Sequence, residues 1–213
     1  MKASFVALAG TVLFVTCPWA SAASSVDLAV KGTITPSACM PSLSQGGKID
    51  YGKISAKDLN QNNMTGLPIV TLQAAVNCEA PTLFALLTQD NRPERPVPVN
   101  PTLYGLGVTT HNELIGTYFL DIRQPPLADG VPVTPLKSED GGQTWNGAGI
   151  AQPWPPNTFT GFGNKATGIT APIPIQVLTF NIEVSPALMP AKDLTLTEEV
   201  SIDGSATLEL RYL

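Results

Sequence analysis

Ala206-Thr207-Leu208-Glu209-Leu210-Arg211-Tyr212-Leu213 closes the chain, and its reading decides the fold. Successive side chains of an extended strand point to opposite faces. Ala206, Leu208, Leu210 and Tyr212 therefore share one face, and Thr207, Glu209 and Arg211 the other. Such an ending sets a half-apolar sheet element where a chain ordinarily frays. The same period of two recurs upstream. Val26-Asp27-Leu28-Ala29-Val30-Lys31-Gly32-Thr33-Ile34 alternates and predicts a first strand that stops before Pro36. Residues 67–78 alternate again, with Val70, Leu72, Ala74 and Val76 on the expected core face.

Further strands are predicted over residues 48–52, 82–88, 103–107, 113–122 and 173–184, with a short run beginning at 194–196. Gly46-Gly47, Asp90-Asn91, Asp129-Gly130 and Asp203-Gly204 read as turns, and residues 57–66 as a polar loop. Residues 124–168 are rich in Pro, Gly and Trp and keep no period. No stretch carries a helical pattern of useful length. The 20 prolines interrupt helices and favour strand ends and connections. Together these features predict an all-β sandwich with long Pro/Gly-rich loops.

The first residues read as a processing segment. Lys2 supplies a positive start, Phe5 to Val15 an apolar run, and Ala20-Ser21-Ala22 a small-x-small cleavage pattern. Residues 1–22 are thus expected to be a signal peptide and residues 23–213 a single exported domain. The run is well short of the ~20 residues that a membrane span needs, so no membrane span is expected. A net charge of −5 with scattered Lys and Arg offers no electrostatic footprint for nucleic acid. Cys17 would leave with the signal. Cys39 and Cys78 remain, and two cysteines in an exported chain point to one disulfide, the alternative being two separate buried thiols.

These features together resemble the subunits of chaperone–usher fimbriae. Val30 to Ile34 followed by Ala38-Cys39 looks like the first strand and first cysteine of pilins. Asp50-Tyr51-Gly52 resembles the Asp-aromatic-Gly step that follows, and Val76-Asn77-Cys78 the second cysteine. Gly204 to Thr207 with the penultimate Tyr212 resembles the closing strand. More narrowly, the chain looks like a fimbria-like secreted bacterial family of unknown function. The resemblance implies an immunoglobulin-like, pilin-type sandwich lacking its last strand. Its partners would be a periplasmic chaperone and other fimbrial subunits, whose strands fill the gap. The chain would pass through the periplasm to a fimbrium at the cell surface. Ala206, Leu208, Leu210 and Tyr212 would border the groove. Pilins carry a donor segment ahead of the first strand. Here only Ala23-Ser24-Ser25 precede Val26, which leaves that segment absent or merged into the first strand.

A second pattern lies in the middle. Ser138-Glu139-Asp140-Gly141-Gly142-Gln143-Thr144-Trp145 fits the Asp-box, Ser-x-Asp-x-Gly-x-Thr-Trp. In sialidases and related propellers this is a hairpin turn whose Asp accepts backbone hydrogen bonds while the Trp packs beneath. One box without repeated blades does not make a propeller. The pattern reads first as a self-stapled hairpin. The alternative is a loop contacting a host or surface glycan through Asp140, Trp145 and Trp154. That alternative belongs to the second functional expectation, a stand-alone secreted carbohydrate-binding β-sandwich. His111 stands alone between Thr110 and Asn112, there is no phosphate loop, and no acid/base pair is apparent. No enzyme activity, metal or cofactor is expected.

Overall fold

The computed structural model describes residues 28–32, 38–93, 102–147, 152–164 and 170–213. The chain divides into two units, Met1–Thr35 and Pro36–Leu213. In the first, residues 28–32 form no strand, and Leu28 and Val30 are 88% and 89% exposed. The predicted first strand over 26–34 is therefore corrected at those residues, and its remainder lies outside the described residues. The signal-peptide expectation also falls outside them.

The second unit is an all-β sandwich. Its strands are β1 (Cys39–Leu43), β2 (Thr65–Gly66), β3 (Val70–Thr82), β4 (Phe84–Asp90) and β5 (Tyr104–Gly105). There follow β6 (Gly116–Ala128), β7 (Val131–Pro132), β8 (Thr134–Ser138), β9 (Asn146–Gly147) and β10 (Gln152–Pro153). The last three are β11 (Phe159–Gly163), β12 (Ile175–Leu188) and β13 (Ala206–Tyr212). One sheet runs β1-β3-β12-β6-β10, with β2 on β12 and with β5 and β7 on β6. The other runs β13-β4-β11-β8-β9, and every pairing in both sheets is antiparallel.

The predicted core face of the third strand holds. Leu72, Ala74 and Val76 are buried and Val70 half-buried, while Thr71, Gln73 and Asn77 face solvent. Between the sheets these residues meet Phe84, Leu86, Ile122, Phe162, Leu178 and Phe180. Trp154 stands edge-on to Phe180 at 5.8 Å, and Tyr104 stacks on Tyr118 at 5.0 Å. The phenol of Tyr104 donates to the Trp154 carbonyl at 2.7 Å, so its polar tip is satisfied within the core.

Two-residue Asp129-Gly130 joins β6 to β7, both residues having positive φ as a type I′ hairpin requires. The Asp129 carboxylate accepts from Gln176 N–H at 3.2 Å and Val177 N–H at 2.7 Å, where β12 bulges. Residues 48–52 pair with no strand, and the chain turns at Gly52, whose φ is positive and whose N–H donates to the Asp50 carboxylate at 2.8 Å, which corrects the strand predicted there. Residues 124–168, read as aperiodic, hold the end of β6 and all of β7 to β11.

Candidate functional site

The site is a groove between the outer edges of the two sheets, β1 on one side and β13 on the other. Among the described residues β13 is the end strand of its sheet and pairs with β4 alone, from Ala206 opposite Asp90 to Tyr212 opposite Phe84. Bonds just beyond its ends fix its phase. Asn91 N–H donates to the Ser205 carbonyl at 2.9 Å, and Leu213 N–H to the Leu83 carbonyl at 3.1 Å. Backbone groups of an antiparallel strand alternate sides. Odd-numbered residues therefore bond β4, and Ala206, Leu208, Leu210 and Tyr212 turn their N–H and C=O groups outward. Among the described residues no strand covers that edge. The four residues predicted to border a groove are thus also those whose backbone is open.

Against this edge lies a cavity of about 260 Å³, lined by Leu43, Leu72, Tyr118, Ile182, Ala206 and Leu208 among others. A second, of about 530 Å³, continues from it past Ile49, Tyr51 and Ile202 to Ile54, Leu59 and Val200. The unpaired stretch 48–52 is thus one wall, with Ile49 and Tyr51 half-buried along it. Sequence reading missed this wall as part of a site. The alternation of Ile49 and Tyr51 was its signal, read there as a strand. Leu208 and Leu210 pack partly against the core, Leu208 and Ala206 line the first cavity, and Tyr212 is 48% exposed.

At the far end Cys39 N–H donates to the Tyr212 hydroxyl at 3.1 Å, tying the two edges together. Cys39 and Cys78 form the expected disulfide, across directly opposed positions of β1 and β3. The first cavity is largely apolar, whereas the second also meets Asp50, Lys53, Glu198 and Glu199. Burial pushes the Tyr118 phenol well up, helped by the Asp90 charge and by Tyr104, and burial raises Tyr51 too. Trp154, 1% exposed, lies beneath the first cavity, and its Nε1 has no hydrogen-bond partner among the described residues.

The Asp-box stands apart, at the β8–β9 turn. Asp140 Oδ1 accepts from Ser138 Oγ at 2.7 Å, Thr144 N–H at 2.9 Å and Gln143 N–H at 3.0 Å. Its Oδ2 accepts from the Thr144 hydroxyl at 2.6 Å. These bonds, led by the Thr144 hydroxyl, hold the carboxyl well below the usual carboxylate range. Trp145 is half-buried against Gly161, where an added Cβ would stand 3.0 Å from the indole and 2.5 Å from Pro172. The structure does not bring Asp140, Trp145 and Trp154 together as one exposed surface: Asp140 is committed to its own turn, and Trp154 shows no ring face to solvent.

A family model described as a protein of unknown function (DUF1120) matches residues 28–117. Protein GltF of Escherichia coli (strain K12) is 26% identical, over 91% of this chain and 91% of that protein. The uncharacterized protein YhcF of the same strain is 24% identical, over 97% of each. The chain is similar along most of its length to these two proteins. None of the three descriptions states an activity or a partner.

Proposed function

We propose that this chain is a fimbrial-type structural or adhesive subunit whose incomplete, immunoglobulin-like sandwich is completed by a strand from another polypeptide. A periplasmic chaperone would supply that strand first and a further subunit later. The observation that carries the reading is the end strand β13. Its backbone groups at Ala206, Leu208, Leu210 and Tyr212 face outward, and Ala206 and Leu208 line a largely apolar cavity. An edge of that kind is a template for strand addition: main-chain bonds supply affinity, and alternate side chains supply register.

The donor has a candidate in the chain itself. Val26 to Ile34 keeps a strand's alternation while Leu28 and Val30 lie exposed and unpaired with any strand. Only Ala23 to Ser25 precede it after the expected cleavage, so the segment that looked absent is better read as Val26–Ile34 itself. A disulfide supports an oxidising, non-cytoplasmic destination. Among the described residues no helix is long and apolar enough to cross a membrane. This reading is non-enzymatic and needs no cofactor. The alternative of a glycan-binding sandwich draws no support from Asp140 and Trp154, for the reasons of placement given above.

Capture of a tagged, exported chain by the chaperone of its own gene cluster tests the proposal. The wild type should co-purify with the chaperone. Leu208→Asp sets a charge in the apolar cavity and should weaken capture tenfold or more, a change of at least about 1.4 kcal/mol. Chaperone-free, stable, monomeric wild type would contradict it.

A further inference from the structure

The wall of the first cavity holds a hydrogen-bond donor that the fold leaves unanswered. Trp154 lines the cavity, is 1% exposed, and its Nε1 has no partner among the described residues. Both of its backbone groups are tied down. Its N–H donates to the Leu120 carbonyl at 2.7 Å, and its carbonyl accepts from the Tyr104 phenol at 2.7 Å. The indole stands edge-on to Phe180 at 5.8 Å, so the core holds the ring in place rather than leaving it to seek a partner. Buried polar groups are nearly always paired, and an indole N–H can only donate. Two hydroxyls on the cavity wall are already spent within the protein. Thr88 donates to the Pro155 carbonyl and Tyr51 to the Pro68 carbonyl, each at 3.0 Å. Tyr118, on the same wall, stays a neutral phenol, because burial and the Asp90 charge push its pKa well up.

We infer that the first cavity binds a small, neutral, mainly apolar molecule whose carbonyl oxygen accepts from the Trp154 Nε1–H. The lining sets the class of ligand. Leu72, Leu106, Leu120, Ile182 and Leu208 call for an apolar body, and the orphaned N–H calls for an acceptor. The Asp90 charge felt at Tyr118 disfavours an anionic acceptor, and an ammonium group brings no acceptor at all. A cavity of roughly 150 Å³ takes a benzene ring, so one of about 260 Å³ admits roughly ten non-hydrogen atoms. A short alkyl amide meets each condition. The inference goes beyond strand addition and does not depend on it. An added strand would use the outward backbone of β13, whereas this ligand uses a side chain of the core.

The test is titration of the isolated exported chain with N-hexylacetamide, followed by NMR at the indole N–H signals. After the expected cleavage the chain keeps two tryptophans, Trp145 and Trp154, and the signal missing from Trp154→Phe assigns them. The amide should bind saturably and move the Trp154 signal downfield, while the Trp145 signal, at the distant β8–β9 turn, stays where it is. Octanoate, of the same size but anionic, should bind at least about tenfold more weakly. Trp154→Phe keeps an aromatic ring in the core without the donor, and should bind the amide about fivefold more weakly. No saturable binding of the amide to the wild type would overturn the site, whatever the variant does. Binding that leaves the Trp154 signal in place, or equal affinity in Trp154→Phe, would overturn the role given to Nε1. Octanoate binding as tightly as the amide would overturn the neutral class.

Discussion

Asp140 shows how one side chain can satisfy a motif without serving a ligand. Both its oxygens are occupied by Ser138, Gln143 and Thr144 within the same turn. Its carboxyl is held below its ordinary value in the folded chain by those bonds, so its stabilising contribution is present above the unfolded pKa of about 4 and is lost as pH falls towards the folded value. Asp140→Ala should therefore lower Tm at neutral pH, and the gap from wild type should narrow as pH falls below about 4. Thermal melts across that range measure it, and a pH-independent gap would contradict the assignment. Binding to any glycan that the wild type recognises should not change in this variant. The hairpin was legible from Ser138 to Trp145, because the motif encodes its own bonds. The place of Trp154 was not, since a lone Trp among prolines carries no period to say whether its ring faces core or solvent.

Among the elements, period and partner come apart. Alternation reports that a segment has two unlike faces, and says nothing of which backbone will pair with it. That is why residues 70–76 and 206–212 were read correctly, and why Val26 to Ile34 and residues 48–52 were read as strands of the sandwich. The first pattern is equally that of a strand meant for another polypeptide. The second is an apolar wall whose Ile49 and Tyr51 face a cavity without a ladder. β7 to β11 are two to five residues long, too short for a period to accumulate. The disulfide belongs to this scale, since it pins the edge strand β1 to β3. Closing a loop of 39 residues' separation is worth about 4 kcal/mol in the chain-entropy model. That is a large share of the ~5–15 kcal/mol that a domain has. Cys39→Ser should therefore cut exported yield sharply and lower the denaturation midpoint. An unchanged midpoint would show that the β1 edge is held by other means.

At the scale of the whole molecule, the sandwich has two sheets whose end strands β1 and β13 flank an apolar groove that neither fills. A cross-strand disulfide and the Tyr212–Cys39 hydrogen bond brace these edges, and under the proposed function they would hold the fold until a strand arrives. On the proposed reading, the outer edge of β13 is vacant in the free chain and filled in the assembly. Amide exchange along β13, in the isolated exported chain and in its chaperone complex, tests this most directly. Exchange should alternate in the free chain, with Thr207, Glu209 and Arg211 protected and Ala206, Leu208 and Leu210 fast, and that alternation should be lost in the complex. Uniform protection in the free chain, or rates at Ala206, Leu208 and Leu210 that the complex leaves unchanged, would contradict it.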